Sequence, residues 1–146
     1  MSVVLKANDG PLRDYLRLEP QRQAEGLRLF QEEGSILAME ELRSNVPVRS
    51  GFLRESVTRE ILPDGFTVYP SAKYAGFVDQ GSRPHTIFPK SGKVLRFENQ
   101  WGATIFARKV EHPGFPGRFF MQRTAENLRW RLTELVRSIL ERVYRD

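Results

Sequence analysis

The chain has 146 residues and a mass of 16.9 kDa, the length of one domain with one sizeable core. Ten Phe, four Tyr and two Trp supply too much apolar area for a disordered chain, and the absence of cysteine removes disulfides, thiol catalysis and thiolate zinc sites. The net charge of +5 is uneven: residues 1–73 carry 10 basic and 11 acidic groups and residues 74–146 carry 13 and 7, so the second half can meet nucleic acid or an acidic protein surface, or simply present a solvated arginine face. No apolar run approaches the roughly 20 residues of a membrane span. The first residues lack a basic segment followed by an apolar one, so neither a secretory signal nor a membrane partner is expected.

Residues 1–18 read as an N-terminal arm, and 19–45 as a helix. Pro20 suits a first helical position, and Ala24, Leu27, Phe30, Gly34, Leu37 and Leu42 recur near a 3.6 period. Gly26 and Gly34 each cost about 1 kcal/mol against Ala in such a helix. Asn45-Val46-Pro47 ends it. The sheet region is expected over 52–112. A strand at Ser56–Leu62 turns at Pro63-Asp64-Gly65 and returns as Phe66–Tyr69. Tyr74, Ala75, Phe77 and Val78 predict one or two helical turns before Gly81. Short strands follow at Thr86–Phe88, Val94–Phe97 and Ala103–Val110, then a loop punctuated by glycine and proline from His112 to Gly117. The last helix, over 118–145, carries Ala125, Leu128, Leu132, Leu135, Ile139 and Val143 on one stripe, widened by Val136 and Leu140 and flanked by arginines. The pattern predicts an α+β fold in one domain, 1–146. An antiparallel sheet of four to five short strands would carry a long N-terminal and a long C-terminal helix on one face. So small a domain leaves the other sheet face uncovered, which favours self-association.

The chemical inventory is thin. His85 and His112, the two histidines, lie 27 residues apart and each sits beside a proline, as loop histidines bonded to backbone do. No nucleophile elbow, phosphate-cradling loop or dinucleotide fingerprint is present. Glu32/Glu33 and Glu40/Glu41 are neighbours that diverge around a helix and make a poor acid–base couple. The chain therefore reads as a non-enzyme, with no catalytic, cofactor-binding or metal-ligating residue assigned and no cofactor. Arg83, Lys90, Lys93, Arg96, Arg108, Lys109 and Arg118 interleave with Tyr74, Phe77, Phe88, Phe97, Trp101 and Phe106. Such strands can stack bases and hold phosphates, but the same alternation marks any half-buried strand with aromatics inward and charges outward.

Four segments stand in order: Val46-Pro-Val-Arg-Ser-Gly-Phe-Leu-Arg-Glu-Ser-Val57, Lys73-Tyr-Ala-Gly-Phe-Val-Asp-Gln-Gly-Ser-Arg-Pro-His85, Ile87-Phe-Pro-Lys-Ser-Gly-Lys-Val-Leu-Arg-Phe97, and His112-Pro-Gly114 followed by Arg118-Phe-Phe120. Together, over about residues 20–140, they resemble the tail-component family of long-tailed bacteriophages, the small neck proteins that complete the tail or join head to tail. Asp79-Gln80 departs from the family's usual Glu plus aromatic before Gly81, and Arg118-Phe119 from its Pro-Phe step, both in loops expected to set partner choice.

The resemblance implies a non-enzymatic virion assembly protein, a neck or tail-completion subunit that forms a ring, six-fold, joining tail to head. Its partners would be copies of itself, the head-side connector or adaptor ring, and tail-tube or terminator proteins, with non-specific contact to DNA in the channel. Its place would be the virion neck or tail, reached from the host cytoplasm, and a free subunit can be monomeric because such rings close on a partner. The expected assembly surface is Tyr74, Phe77, Gly81, Arg83, His85, His112, Gly114, Phe115 and Phe119: glycines for bends, prolines for stiffness, aromatic rings as anchors. The plain alternative for each ring is that it fixes its loop to the chain's own core. Competing functions are a basic nucleic-acid-binding protein, a tail terminator-like subunit, and a small hydrolase or nuclease that would lose activity on mutation of His85 or His112.

Overall fold

A computed structural model describes residues 3–10 and 20–145. Strand β1 (Leu5–Asn8) precedes helix α1 (Pro20–Asn45), the short helix α2 (Phe52–Glu55), strands β2 (Val57–Leu62) and β3 (Gly65–Pro70), and helix α3 (Ala75–Gln80). Then come β4 (Gly81–Ser82), β5 (His85–Ile87), β6 (Leu95–Glu98), β7 (Thr104–Ala107), β8 (Val110–His112), β9 (Phe115–Pro116) and the last helix, α4 (Phe120–Tyr144). The fold class is α+β, with two long helices and small antiparallel sheets of short strands. Among the described residues no helix is long and apolar enough to cross a membrane.

The strands do not form one sheet. Three of them make a sheet in the order β1-β3-β2, and the other six pair two by two. The hairpin turns at Pro63-Asp64 as the turn chemistry predicts, with Leu62 opposite Gly65. Strand β1 falls in the segment read as an arm, where it pairs Leu5 with Val68 and Asn8 with Gly65. Residues 1–2 and 11–18 of that segment lie outside the described residues. Four residues of weak alternation carry little strand signal by themselves, and the edge of β3 supplies what they lack.

Helix α1 buries Gly26, Phe30, Gly34, Ala38 and Leu42, steps of four down one side, with Ser35 beside them. Ala24, expected on this face, is exposed, and Leu27 and Leu37 are half-buried flanks. The i, i+4 row drifts around the helix, and the row that meets the sheet passes through the smallest residues. The reason is visible at Gly34: a Cβ there would lie 2.8 Å from the Phe66 ring. Phe66 is fully buried and tilted against Phe30, centroids 5.6 Å apart. The glycine that lowers helix propensity is what lets the central strand's largest fully buried side chain approach the helix backbone.

Helix α1 lies against β2 and β3, and α4 packs chiefly along α1. Phe120, Met121, Thr124, Leu128 and Ile139 are its buried residues, and Ala125, predicted on the stripe, is exposed. Arg142 donates two hydrogen bonds to Glu33, at 2.9 and 2.8 Å, and Glu41 accepts from Asn45, Asn127 and Arg131. The Arg142 hydrogen bonds hold the Glu33 carboxyl below the usual carboxylate range. Burial works against the charged form of Glu41, yet its hydrogen bonds from Asn127, Asn45 and Arg131 prevail, and its pKa is also lowered.

Candidate assembly surface

The chain from Gly81 to Pro116 leaves the core as a two-stranded ribbon. No hydrophobic side chain from 81 to 119 belongs to the core or packs on it. The ribbon begins where Gly81 pairs with Pro116 and Ser82 with Phe115. Here two backbones touch. Gly81 and Gly114 have φ of +80° and +76°, and a Cβ on Gly81 would lie 2.5 Å from the Phe115 carbonyl oxygen. A Cβ on Gly114 would strike the Ser82 carbonyl. Glycine is required at both positions by conformation and by space.

Beside this crossing, α4 starts without a cap of its own. Its first flanking residue, Phe119, is left-handed at φ 51°, ψ 35°, and offers no side-chain acceptor. The missing partner comes from α3: Asp79, 1% exposed, accepts the Met121 N–H through Oδ1 at 2.9 Å, and its carbonyl accepts the Phe119 N–H. Gln80 donates to the other carboxylate oxygen at 2.6 Å. A carboxylate at a helix N-terminus meets both free N–H groups and the positive end of the dipole. Asp79 stands in α3 rather than in a loop, and its buried carboxylate ties the root of the ribbon to the last helix.

One step further out, His85 pairs with His112 across the ribbon, and the rings stack with centroids 5.0 Å apart. Sequence spacing keeps these two apart; strand pairing joins them. Both bond to backbone, as expected of histidines beside prolines. His85 Nδ1 lies 2.8 Å from the Arg83 carbonyl, which can only accept, so that nitrogen carries the proton. His112 Nδ1 accepts from the Gly114 N–H at 3.0 Å, which leaves the proton of the neutral ring on Nε2. Phe115 meets the edge of His112 at 6.4 Å. Gly81, Arg83, His85, His112, Gly114 and Phe115 are thus one cluster at the ribbon root.

Tyr74 and Phe77 belong to a second patch. Tyr74 stacks on Phe52 at 6.3 Å, and Phe52, Phe77 and Val48 are all more than half exposed. A cleft of about 600 Å³ opens beside them, between Pro47–Gly51, Leu53, Tyr74, Val78 and Arg118. Phe119, also exposed, joins the ribbon root to α4. The candidate residues therefore do not converge on one point but divide between a ribbon and an aromatic cleft.

The outer ribbon differs most from expectation. Its aromatics do not face inward: Phe88 and Phe106 are each 63% exposed and Trp101 is 79% exposed. Strands β6 and β7 pack extensively only on each other, with Arg96 opposite Phe106 and Phe97 opposite Ile105. Between the paired segments, seven residues (88–94) on one strand face two (108–109) on the other, a wide bulge carrying Phe88, Lys90, Lys93 and Val94. The tip is firmly closed. Asn99 Oδ1 accepts from the Trp101 and Ala103 N–H groups, and its backbone bonds to Gly102 and Ala103. Phe52 and Trp101 lie outside the assembly surface expected from the sequence. A signal existed for Trp101, since a ring between Asn99 and Gly102 stands in a turn that neither strand face can cover.

No protein-family model matches the chain, and no curated protein or solved structure is significantly similar to it.

Proposed function

We propose that this chain is a non-enzymatic neck or tail-completion subunit of a long-tailed bacteriophage, one that closes into a six-fold ring joining tail to head. The observation that carries the reading is a pair of unlike, exposed aromatic surfaces on ordered elements: the ribbon 81–116 and the Phe52–Tyr74–Phe77 patch beside its cleft. A ring of identical subunits needs two different patches on each copy, because its interfaces are heterologous. Contiguous apolar surface on stiff elements is the usual mark of a protein contact, and pre-ordering lowers the entropy lost on docking. The order of the four loop segments supports the same reading. The contacts would be with neighbouring copies, the head-side connector or adaptor ring, and the tail-tube or terminator proteins, in the virion after assembly in the host cytoplasm.

Deleting the gene from the phage tests this. DNA-filled heads and separate tails, rejoined when the wild-type chain is supplied, are the expected result, and normal infectious particles would overturn the proposal. A free-standing nucleic-acid-binding regulator is the competing reading, motivated by the basic second half, and it predicts that particle joining is untouched.

A further inference from the structure

The charge of the molecule is not spread over it. Residues 81–118 hold seven basic and two acidic groups, net +5, and every other residue together holds 16 basic and 16 acidic, net zero. The whole excess therefore sits on the ribbon and its root. Lys109 and Glu111 form an ion pair at 3.2 Å, but among the described residues no carboxylate pairs with Lys90, Lys93, Arg96 or Arg108. Arg96 and Phe106 face each other across the strands, and Arg108 stands in the bend just after β7. At the tip, four backbone and side-chain hydrogen bonds around Asn99 hold Trp101 in the open.

We propose that this ribbon is a DNA-gripping arm: Lys90, Lys93, Arg96 and Arg108 hold phosphates of a duplex without regard to sequence, while Phe106 and the fixed Trp101 contact the groove. Charge complementarity selects the occupant. The rest of the molecule balances 16 acidic against 16 basic groups, whereas duplex DNA carries one negative charge per about 1.7 Å of axis and nothing to offset it. Shape agrees, because a two-stranded ribbon fits the major groove. Asn99 fixes the backbone of the turn that carries Trp101, which lowers the backbone ordering cost on binding. The proposal deepens the neck reading, since a ring around the channel would present the arm to DNA, but the binding belongs to the isolated chain and is measurable without a particle.

The test is fluorescence anisotropy of a labelled random-sequence duplex of 24 base pairs, titrated with the full chain at 50 and 200 mM salt. Four phosphate contacts give a log–log salt slope of about −3.6, an affinity loss of roughly 100-fold between the two salts. The variant with Lys90, Lys93, Arg96 and Arg108 all replaced by Gln should lose the slope and most of the affinity while keeping its Tm. Trp101→Ala should bind about 10-fold more weakly. In a Trp130→Phe background the remaining tryptophan, Trp101, should change its fluorescence on adding DNA.

No binding at 50 mM salt overturns the proposal, and so does unaltered binding by the four-Gln variant. Equal competition by polyglutamate also overturns it and assigns the arm to an acidic protein. Self-association abolished by Trp101→Ala without DNA affinity overturns it in favour of a second copy. None of these results bears on whether phage lacking the gene leaves heads and tails apart, so the arm and the neck reading fail separately.

Discussion

Asp79 sits in the middle of a loop motif, yet its carboxylate serves a helix 42 residues further along the chain. Removing it leaves the Met121 N–H buried without an acceptor at an uncapped helix start. The cost is about 2 kcal/mol, combining a lost cap with an unsatisfied buried donor. Asp79→Ala should therefore lower Tm by about 4–8 °C, and Asp79→Asn, which keeps an acceptor oxygen, by clearly less. Equal Tm values for both variants and wild type would remove the capping argument. Gly34 makes the opposite kind of claim. Helix propensity alone predicts that Gly34→Ala stabilises by about 1 kcal/mol, whereas crowding of Phe66 by a methyl 2.8 Å away costs about 1–3 kcal/mol. We expect a net loss of about 1 kcal/mol in urea denaturation, and a gain would mean that the sheet yields to the helix.

At the scale of elements, α1 and α4 are joined by apolar packing and by two carboxylates that α4 holds through Arg142, Asn127 and Arg131. Both carboxyls have folded pKa values below their ordinary range, so in acid the unfolded chain takes up protons first. Their contribution is complete above the ordinary carboxylate pKa and is lost as pH falls through the lowered folded values. The helix pair should loosen on the acid side, and Tm followed from pH 7 to pH 3 should fall less steeply in Glu33→Gln and Glu41→Gln. The two will differ. The Glu33 side chain is 37% exposed and its pair with Arg142 is screened, worth about 0–1 kcal/mol. Glu41 is 12% exposed with three donors, so its loss should cost more, about 1–2 kcal/mol. Matching losses at the two sites would show that burial does not set the strength of these links.

For the whole molecule, the decisive feature is a core that ends at residue 78 and resumes at residue 120, with the ribbon between. Nicking the ribbon should therefore not unfold the rest. Trypsin should cut first at Lys90 or Lys93 in the wide bulge, and the nicked protein should keep its far-UV dichroism and most of its Tm. Collapse of the fold on the first cut would mean that the arm supports the core and is not carried by it.

The long helices, the hairpin at Pro63-Asp64, the short helix before Gly81 and the α+β class were legible in the sequence, because each is set by contacts within a few residues: a 3.6 period, a turn with its own hydrogen bonds, a glycine stop. Tertiary structure alone decided the rest. Strand β1 exists because β3 offers it an edge, Asp79 became a cap because α4 begins beside it, and His85 met His112 through strand pairing. The strand aromatics Phe88, Phe97 and Phe106 alternate with charges just as those of half-buried strands do, and no local rule distinguishes a covered face from an open one. Burial is a property of what packs opposite, and opposite the outer ribbon the described residues place nothing.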